Sequence, residues 1–286
     1  MPSFFLHIFR KIDVELKVNS SILSKNKIGL IPTMGSLHKG HISLIKKAQQ
    51  NNDVVWVSIF VNPTQFNSPQ DLIKYPRNFS KDVDLIKEIS KDIHVFCPKE
   101  EEIYNGAPEI KAYDFKNLDK ELEGKFRKNH FNGVATIVSK LLSLFKPNNV
   151  YFGEKDFQQT LIIKKLISIE KINVKMIVCP TIREKNGLAL SSRNSLLSKS
   201  NREKSSIIYK SLNVLKNNFK NLNLFDLKKE IIDRINKIKS FKVEYLEIVS
   251  ESTLQTDIKI NPKKSYRAFI SVIVNEVRLI DNILLN

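Results

Sequence analysis

Apolar positions along this chain fall into two textures. Short, mostly apolar runs, Ile28 to Ile31, Asp53 to Val61, Ile93 to Phe96, Val150 to Phe152 and Val174 to Cys179, read as buried strands. Between them apolar residues recur every three or four positions. Gly133 to Phe145 is the strongest such stretch, with Val134, Ile137, Val138, Leu141, Leu142 and Phe145 on one helical face. Gly40 to Gln50, Lys81 to Ser90 and Phe157 to Ile169 carry the same spacing. Strands apolar on both faces, alternating with helices, predict an α/β fold built on a parallel sheet covered on both sides. Pro32 is expected to end the first run, and Met34-Gly35-Ser36 to form a tight turn. Asp71 to Ser80 reads as irregular, and residues 98–131 as a long excursion over the surface. The N-terminal stretch from Met1 to Leu16 reads as a first strand or helix.

The texture changes near Glu184. Two amphipathic helices, about Ser200 to Lys220 and Leu224 to Lys239, lead to strand-like runs at Val243 to Val249, Tyr266 to Val274 and Val277 to Ile280. That predicts a first domain over 1–183 and a smaller α+β domain over 184–286. The 286 residues can bury a core in either arrangement. No run has the length of a membrane span. The N-terminus has an apolar patch without a basic region before it or a small-residue cleavage site after it, so the expected address is the cytoplasm. Cys97 and Cys179 stand apart, each near the end of an apolar run before a proline. They read as structural thiols of a reducing compartment.

A net charge of +17 raises the question of nucleic acid. The make-up of the charge argues against it. Only 9 of the 47 basic residues are Arg, and the lysines are spread from end to end with no Arg-rich arm and no basic patch interleaved with aromatics. The abundance of Lys, Asn and Ile matches what an AT-biased genome supplies at tolerant positions. No nucleic-acid partner is expected, although anionic substrates benefit from the field.

The candidate chemistry begins where the first strand meets the first strong helix. A strand that stops at a glycine turn and opens a helix aims backbone N–H groups and a positive helix end at one spot, which suits phosphate oxygens. Here that junction carries His38-x-Gly40-His41. Gly40 lets a ligand approach the backbone closely, and the imidazoles can donate to a polyphosphate as negative charge builds. Ordinary surface or core histidines and a metal-binding His-x-x-His pair are the alternatives, and no compact cluster of Cys, His or carboxylates elsewhere offers further metal ligands.

Polar groups recur at later strand ends. Asn62-Pro63-Thr64-Gln65-Phe66 follows the second run, and the Gln65 amide can hold a hydroxyl or carboxylate; a plain Asn-Pro turn explains the stretch as well. Gly153-Glu154-Lys155-Asp156 sits between strand and helix, with Lys155 able to pair with phosphate and Asp156 able to accept from a ribose hydroxyl or hold a metal-bound water. A surface turn with an ion pair is the even alternative. Ser191-Ser192-Arg193, inside the polar loop from Thr181 to Asn194, offers two hydroxyls and a guanidinium to a triphosphate, or is a solvated linker.

Taken together and in order, His38-x-Gly40-His41, Asn62-Pro63-x-Gln65-Phe66, Gly153-Glu154-Lys155-Asp156 and Leu190-Ser191-Ser192-Arg193 resemble the pantoate–β-alanine ligase (pantothenate synthetase) family. The string from Pro32 to His41 is the most specific piece, the match runs from Ile31 to Asn194, and it recurs weakly in Arg278-Leu279-Ile280-Asp281-Asn282. The resemblance implies a Rossmann-like nucleotide- and pantoate-binding domain with a smaller C-terminal lid, a homodimer, and ligation dependent on ATP and Mg2+. Pantoate's carboxylate would attack the α-phosphate of ATP to give pantoyl adenylate and pyrophosphate, and β-alanine would then displace AMP.

Carried over by position, the resemblance implies ATP contacts from Met34, Gly35, Ser36, Leu37, His38, Lys39, Gly40 and His41. Gly153, Glu154, Lys155, Asp156, Ile182, Leu190, Ser191, Ser192 and Arg193 would complete that site. His41 and His38 take the catalytic role, with Lys155 and Arg193 neutralising the phosphates. Gln65, Gln159 and Asn62 would bind pantoate and β-alanine, and no direct protein ligand to the metal is implied. Two positions depart from the family's pattern: Leu190 stands where many relatives have Met, and Lys128 where a proline commonly follows the equivalent of Arg127. Another HxGH-type adenylyltransferase, such as one acting on pantetheine phosphate or nicotinamide nucleotide, is the alternative; it would share the ATP elements but gives no reason for Asn62 to Phe66 or Gln159.

Overall fold

A computed structural model describes residues 8–104, 106–220, 223–257 and 259–286. The expected start of the chain therefore lies partly outside the described residues. What is described there is both a strand and a helix, β1 (Ile8–Phe9) followed by α1 (Lys11–Leu23). The elements then run β2 (Ile28–Thr33), α2 (Lys39–Gln49), β3 (Val54–Ile59), α3 (Pro69–Lys74), α4 (Phe79–Lys87) and β4 (His94–Phe96). Next come α5 (Glu100–Ile103), α6 (Glu123–Phe126), α7 (His130–Phe145), β5 (Asn149–Gly153), α8 (Phe157–Ile169) and β6 (Lys175–Cys179). The chain closes with α9 (Lys199–Lys204), α10 (Ser206–Asn218), α11 (Leu224–Asn236), β7 (Phe241–Ser250), β8 (Tyr266–Val274) and β9 (Val277–Leu284).

The backbone divides into two compact units. The first takes the chain to Phe115, then Arg127–Glu154 and Gln159–Pro180; the second takes Lys116–Phe126, Lys155–Gln158 and Thr181–Asn286. Two short inserts that precede residue 184, Lys116–Phe126 and Lys155–Gln158, thus belong to the second unit.

In the first unit six parallel strands lie in the order β1-β4-β3-β2-β5-β6. Alternation along β3 sorts the core into two layers. Val55, Val57 and Ile59 join Leu44 and Ile45 of α2 and Val83 and Ile86 of α4. Trp56 points the other way, where its ring lies 5.0 Å from that of Phe145 at the end of α7, and Phe96 packs on the Phe145 ring at 5.4 Å. Both strand faces are therefore dry, which is why these runs are continuously apolar.

Three expectations are corrected. Pro32 does not end β2, which continues through it to Thr33. The pairing of β2 with β5 covers only Gly29 and Leu30, so Pro32 lies where that ladder has already ended. Asp71 to Ser80 is not wholly irregular: Ser68 caps α3 by accepting from Gln70 N–H, with Pro69 at the first helical position. Residues 98–131 are not just a surface excursion, since Ile103, Tyr104, Phe115, Leu122 and Glu123 are all buried.

The second unit is built on the antiparallel sheet β7-β8-β9. Leu212 and Leu215 of α10 and Ile231 and Ile235 of α11 share a buried core with Ala268, Ile270 and Val272 of β8 and Leu279 of β9. No helix among the described residues is long and apolar enough to cross a membrane.

Candidate active site

In the first unit the chain moves outward from β2 through β3 to β4, then returns to lay β5 on the other side of β2. The carboxyl ends of β2 and β5 therefore flank the point where strand order reverses, the usual ligand crevice of an open parallel sheet. The loop after β2 leaves through Gly35 and Ser36, both left-handed at φ 74° and 50°. Glycine is required at the first: a Cβ there would meet Asp82 Oδ2 at 2.9 Å. Thr33 holds the base of the turn, donating to Ser58 O at 2.7 Å and accepting from Gly35 N–H at 3.2 Å.

Asp82 of α4 clamps the rest. Its two oxygens accept Ser36 N–H at 2.8 Å and Leu37 N–H at 2.6 Å. Burial pushes its pKa up, and the two backbone bonds pull against that shift. Sequence reasoning missed this residue. The signal was present: Asp82 precedes Ile86 by four and adjoins Val83, so it lies on the apolar face, where a carboxylate needs buried donors.

The loop delivers His38 to the N-cap of α2 in an extended conformation, φ −144° and ψ 175°. Its Nδ1 accepts Gly40 N–H at 3.1 Å, while His41 Nδ1 accepts His38 N–H at 3.3 Å. This is a capping box made from two imidazoles, whose rings lie 4.1 Å apart. The arrangement assigns the tautomers. With both Nδ1 atoms accepting from backbone, each neutral ring carries its proton on Nε2 and is a donor there. Two ring donors and the opening of a helix are thereby gathered at one terminus, a set suited to phosphate oxygens. Lys39, between them, is exposed.

The turn after β3 is organised by Asn62, only 1% exposed. Its Nδ2 donates to Gln65 Oε1 at 3.1 Å and to Gly133 O at 3.2 Å, and its Oδ1 accepts Tyr104 O–H at 2.6 Å. Asn62 thus holds Gln65 in place. Gln65 Nε2 in turn meets Met34 Sδ at 3.0 Å, joining this turn to the loop after β2. One amide hydrogen and one carbonyl lone pair of the Gln65 side chain are left over from these contacts among the described residues.

A second brace reaches the Gln65 carbonyl. His130 Nδ1 donates to it at 2.7 Å, so His130 Nε2 is the acceptor for Arg127 Nη1 at 3.0 Å. Arg127 Nη2 also donates to Gln65 O at 3.3 Å. With Lys128 in place of proline, the arginine is seated on this turn, and the Lys128 carbonyl accepts from the Asn67 amide. Gly133 permits the contact between this turn and α7, because a Cβ there would stand 2.2 Å from Thr64 O. Tyr104 and His130 were not foreseen as supports; a Tyr in a stretch of weak periodicity gives no signal of its own.

Gln158 and Gln159 adjoin on α8 and differ in use. Gln158 is consumed structurally, accepting Glu123 N–H at 3.0 Å and donating to Leu118 O and Glu121 O. Gln159, the expected substrate residue, is half-buried on the first turn.

In the second unit, Lys155 Nζ lies 3.4 Å from Asp156 Oδ1, with 17% of the lysine side chain exposed. The polar loop after β6 is more ordered than expected. Arg183 bridges Ala189, Leu190 N–H returns to Ile182 O at 2.9 Å, and Ser191 caps a short 3-10 turn over Ser192–Leu196 by accepting Arg193 N–H at 3.3 Å. Ile182 and Leu190–Arg193 are therefore neighbours on one small hairpin. Among the described residues no group of three or more His, Cys, Asp or Glu could hold a metal ion.

Comparison with known proteins finds relatives along almost the whole chain. The model of the family described as pantoate-beta-alanine ligase matches residues 7–284. A pantothenate synthetase of Flavobacterium psychrophilum is 46% identical over 277 residues, covering 96% of this chain and 98% of its own. The solved structure of pantoate-beta-alanine ligase from Francisella tularensis, complexed with beta-gamma ATP and beta-alanine, is 40% identical and superposes with a TM-score of 0.83 over 98% of both chains. Pantothenate synthetase from Thermus thermophilus is 32% identical with a TM-score of 0.87, covering 98% of this chain and 99% of its own.

Proposed function

Since the chain belongs to the pantoate–β-alanine ligase family and is a carbon–nitrogen ligase that joins pantoate to β-alanine, we propose that it does so through a pantoyl adenylate made at the His38–His41 helix end. A carboxylate oxygen of pantoate attacks the α-phosphorus of ATP, and the bond to pyrophosphate breaks. The amine of β-alanine then attacks the acyl carbon, loses a proton, and AMP leaves as the C–O bond breaks.

The observation that carries this reading is the pair of Nδ1 atoms tied to backbone N–H groups, which commits both imidazoles to donating from Nε2. Donors fixed before the reaction cost no reorganisation as charge grows on the phosphates. Gly153, Glu154, Asp156, Ile182 and Leu190–Ser192 complete the ATP contacts in this reading, with Lys155 and Arg193 as the cations. Gln65 and Gln159 bind pantoate, Gln65 with β-alanine close by, and Asn62 acts by holding Gln65. Since no group touched by substrate need form a covalent intermediate, positioning and charge stabilisation supply the acceleration.

Mg2+ fits as an ion carried on the triphosphate, because it keeps its waters and takes oxygens from substrate phosphates more readily than from a protein cage; there it would offset phosphate charge. The resemblance supports a homodimer, which light scattering tests, and a cytoplasmic address.

The deciding experiment is pyrophosphate release from ATP with and without pantoate, followed by AMP and pantothenate formation on adding β-alanine. Release that requires pantoate and precedes the amine is expected. Release only after β-alanine is added would overturn the adenylate.

A further inference from the structure

Asp281 and Asn282 are consecutive on β9, so their side chains leave opposite faces of the strand, yet they are only 3% and 4% exposed. Buried polar groups on both sides of one strand need partners on both sides. On the first face Asp281 receives Arg183 through two parallel bonds, Nη1 to Oδ2 at 2.5 Å and Nη2 to Oδ1 at 3.0 Å. The same guanidinium donates to Gly187 O at 3.2 Å and lies 3.7 Å from the centre of the Tyr209 ring. Arg183 is the residue whose bridge to Ala189 closes the hairpin that carries Ile182 and Leu190–Arg193.

On the second face Asn282 Nδ2 donates to the backbone carbonyl of Lys155 at 2.8 Å. Asn282 Oδ1 accepts Arg267 Nη1 at 2.5 Å, and Arg267 is locked between Glu251 at 2.7 Å and the Phe157 ring at 4.0 Å. The strand does not need these side chains to form, because β9 pairs with β8 by register from Val277 to Leu284. What they tie down is two separate segments, each carrying a cation that the proposed function assigns to the ATP phosphates.

We propose that Asp281 and Asn282 are positioning residues for the ATP half-reaction, Asn282 through the backbone of Lys155 and Asp281 through Arg183 and the hairpin bearing Ser191–Arg193. The inference rests on the reading of Lys155 and Arg193 as phosphate partners. Neither residue touches substrate. A lysine whose main chain drifts loses the geometry that makes its charge useful, and displacements on the order of 1 Å can cost about a hundredfold in rate. A consequence is selectivity by step: adenylate formation depends on both anchors, while capture of the amine by a formed adenylate does not.

The test uses full-length protein carrying Asn282→Asp. The carboxylate keeps an acceptor for Arg267 but faces the Lys155 carbonyl with another acceptor. The expected result is a loss of about tenfold or more in kcat/KM for ATP, read as pantoate-dependent pyrophosphate release. KM for β-alanine should stay within about twofold, while Tm should fall by several degrees because the Lys155 carbonyl loses its donor. Lys155→Ala alone should also impair the ATP step, and adding Asn282→Asp to it should cost nothing more, since the effect passes through Lys155. Asn282→Ala, which removes the donor without adding charge, gives the same comparison should the aspartate variant fail to accumulate. Equal loss for ATP and β-alanine, or full additivity with Lys155→Ala, would reduce Asn282 to a structural residue and overturn the inference. An inert Lys155→Ala would instead overturn the assignment of Lys155 on which it rests, and the two failures are told apart by that single variant.

Discussion

The carboxylate of Asp82 accepts the backbone N–H of Leu37 at 2.6 Å, across 45 positions of sequence. Through this bond and its partner at Ser36, helix α4 holds the loop that presents His38. Asp82→Ala should leave the Leu37 N–H unpaired in a buried setting, costing about 1–3 kcal/mol. It should also raise KM for ATP, because the left-handed turn at Gly35 and Ser36 loses its clamp. The pH dependence has a definite sign. Burial lifts the folded pKa of Asp82 above 3.8, so stability owed to its proton is present below 3.8 and is lost as pH rises through the folded value. Urea unfolding from about pH 3 to about pH 7 should show this falling contribution in the wild type and not in the variant. Identical pH profiles would contradict it.

His41→Ala should lower adenylate formation about tenfold or more while the fold persists, since it removes one prearranged Nε2 donor. It also removes the acceptor for His38 N–H, a capping loss of about 1 kcal/mol. Single-turnover pyrophosphate release and a thermal melt separate the two effects. Wild-type turnover in the variant would take His41 out of the mechanism.

Gln65→Ala should weaken pantoate far more than ATP. The Gln65 side chain is held by Asn62 and Met34 with part of its amide left to recognise a hydroxyl or carboxylate. A lost hydrogen bond to a charged group corresponds to about tenfold or more in KM for pantoate. Equal weakening of both substrates would count against the assignment.

Gly133→Ala tests the support beneath that residue. A methyl placed 2.2 Å from Thr64 O must push the Asn62–Gln65 turn away from α7, because neither backbone can yield freely. The expected cost is about 1–3 kcal/mol of stability, with a rise in KM for pantoate. A variant with normal melting and normal pantoate kinetics would mean that the turn moves at no cost.

Much of this was legible from local pattern. Helix α8 runs over Phe157–Ile169, the stretch its spacing marks, and β8 spans the expected Tyr266–Val274. The strand, turn and helix around His38 were legible for the same reason: one short segment contains the whole signal. Pro32 misled because a proline breaks a strand only where its missing N–H is needed, and that depends on which neighbour is still paired. Helix α3 has six residues, too few for a periodicity to declare itself. The hidden residues are those whose partner is remote in sequence. Arg278 meets Glu123 from 155 positions away, and nothing beside either one announces the pairing.

That pairing also makes the stability of the second unit depend on alkaline pH. Arg278 Nη2 donates to Glu123 Oε1 at 2.8 Å, and Tyr245 O–H donates to the same oxygen at 2.6 Å. Burial and then the Glu123 charge push the Tyr245 pKa well above 10.0, because a phenolate there would sit dry beside a carboxylate. Stability from the Tyr245 proton is therefore complete below 10.0 and is lost as pH rises past it, where the unfolded chain ionises first. Tyr245→Phe should cost about 1–2 kcal/mol near neutral pH, the loss of a bond to a charged acceptor. Above about pH 10 the wild type should fall toward the variant, since only the wild type carries a phenol to ionise on unfolding. Denaturant midpoints taken from about pH 7 to about pH 11 decide it: converging curves are expected, and a gap that stays constant would mean that Tyr245 titrates in the folded unit as it does in the unfolded chain.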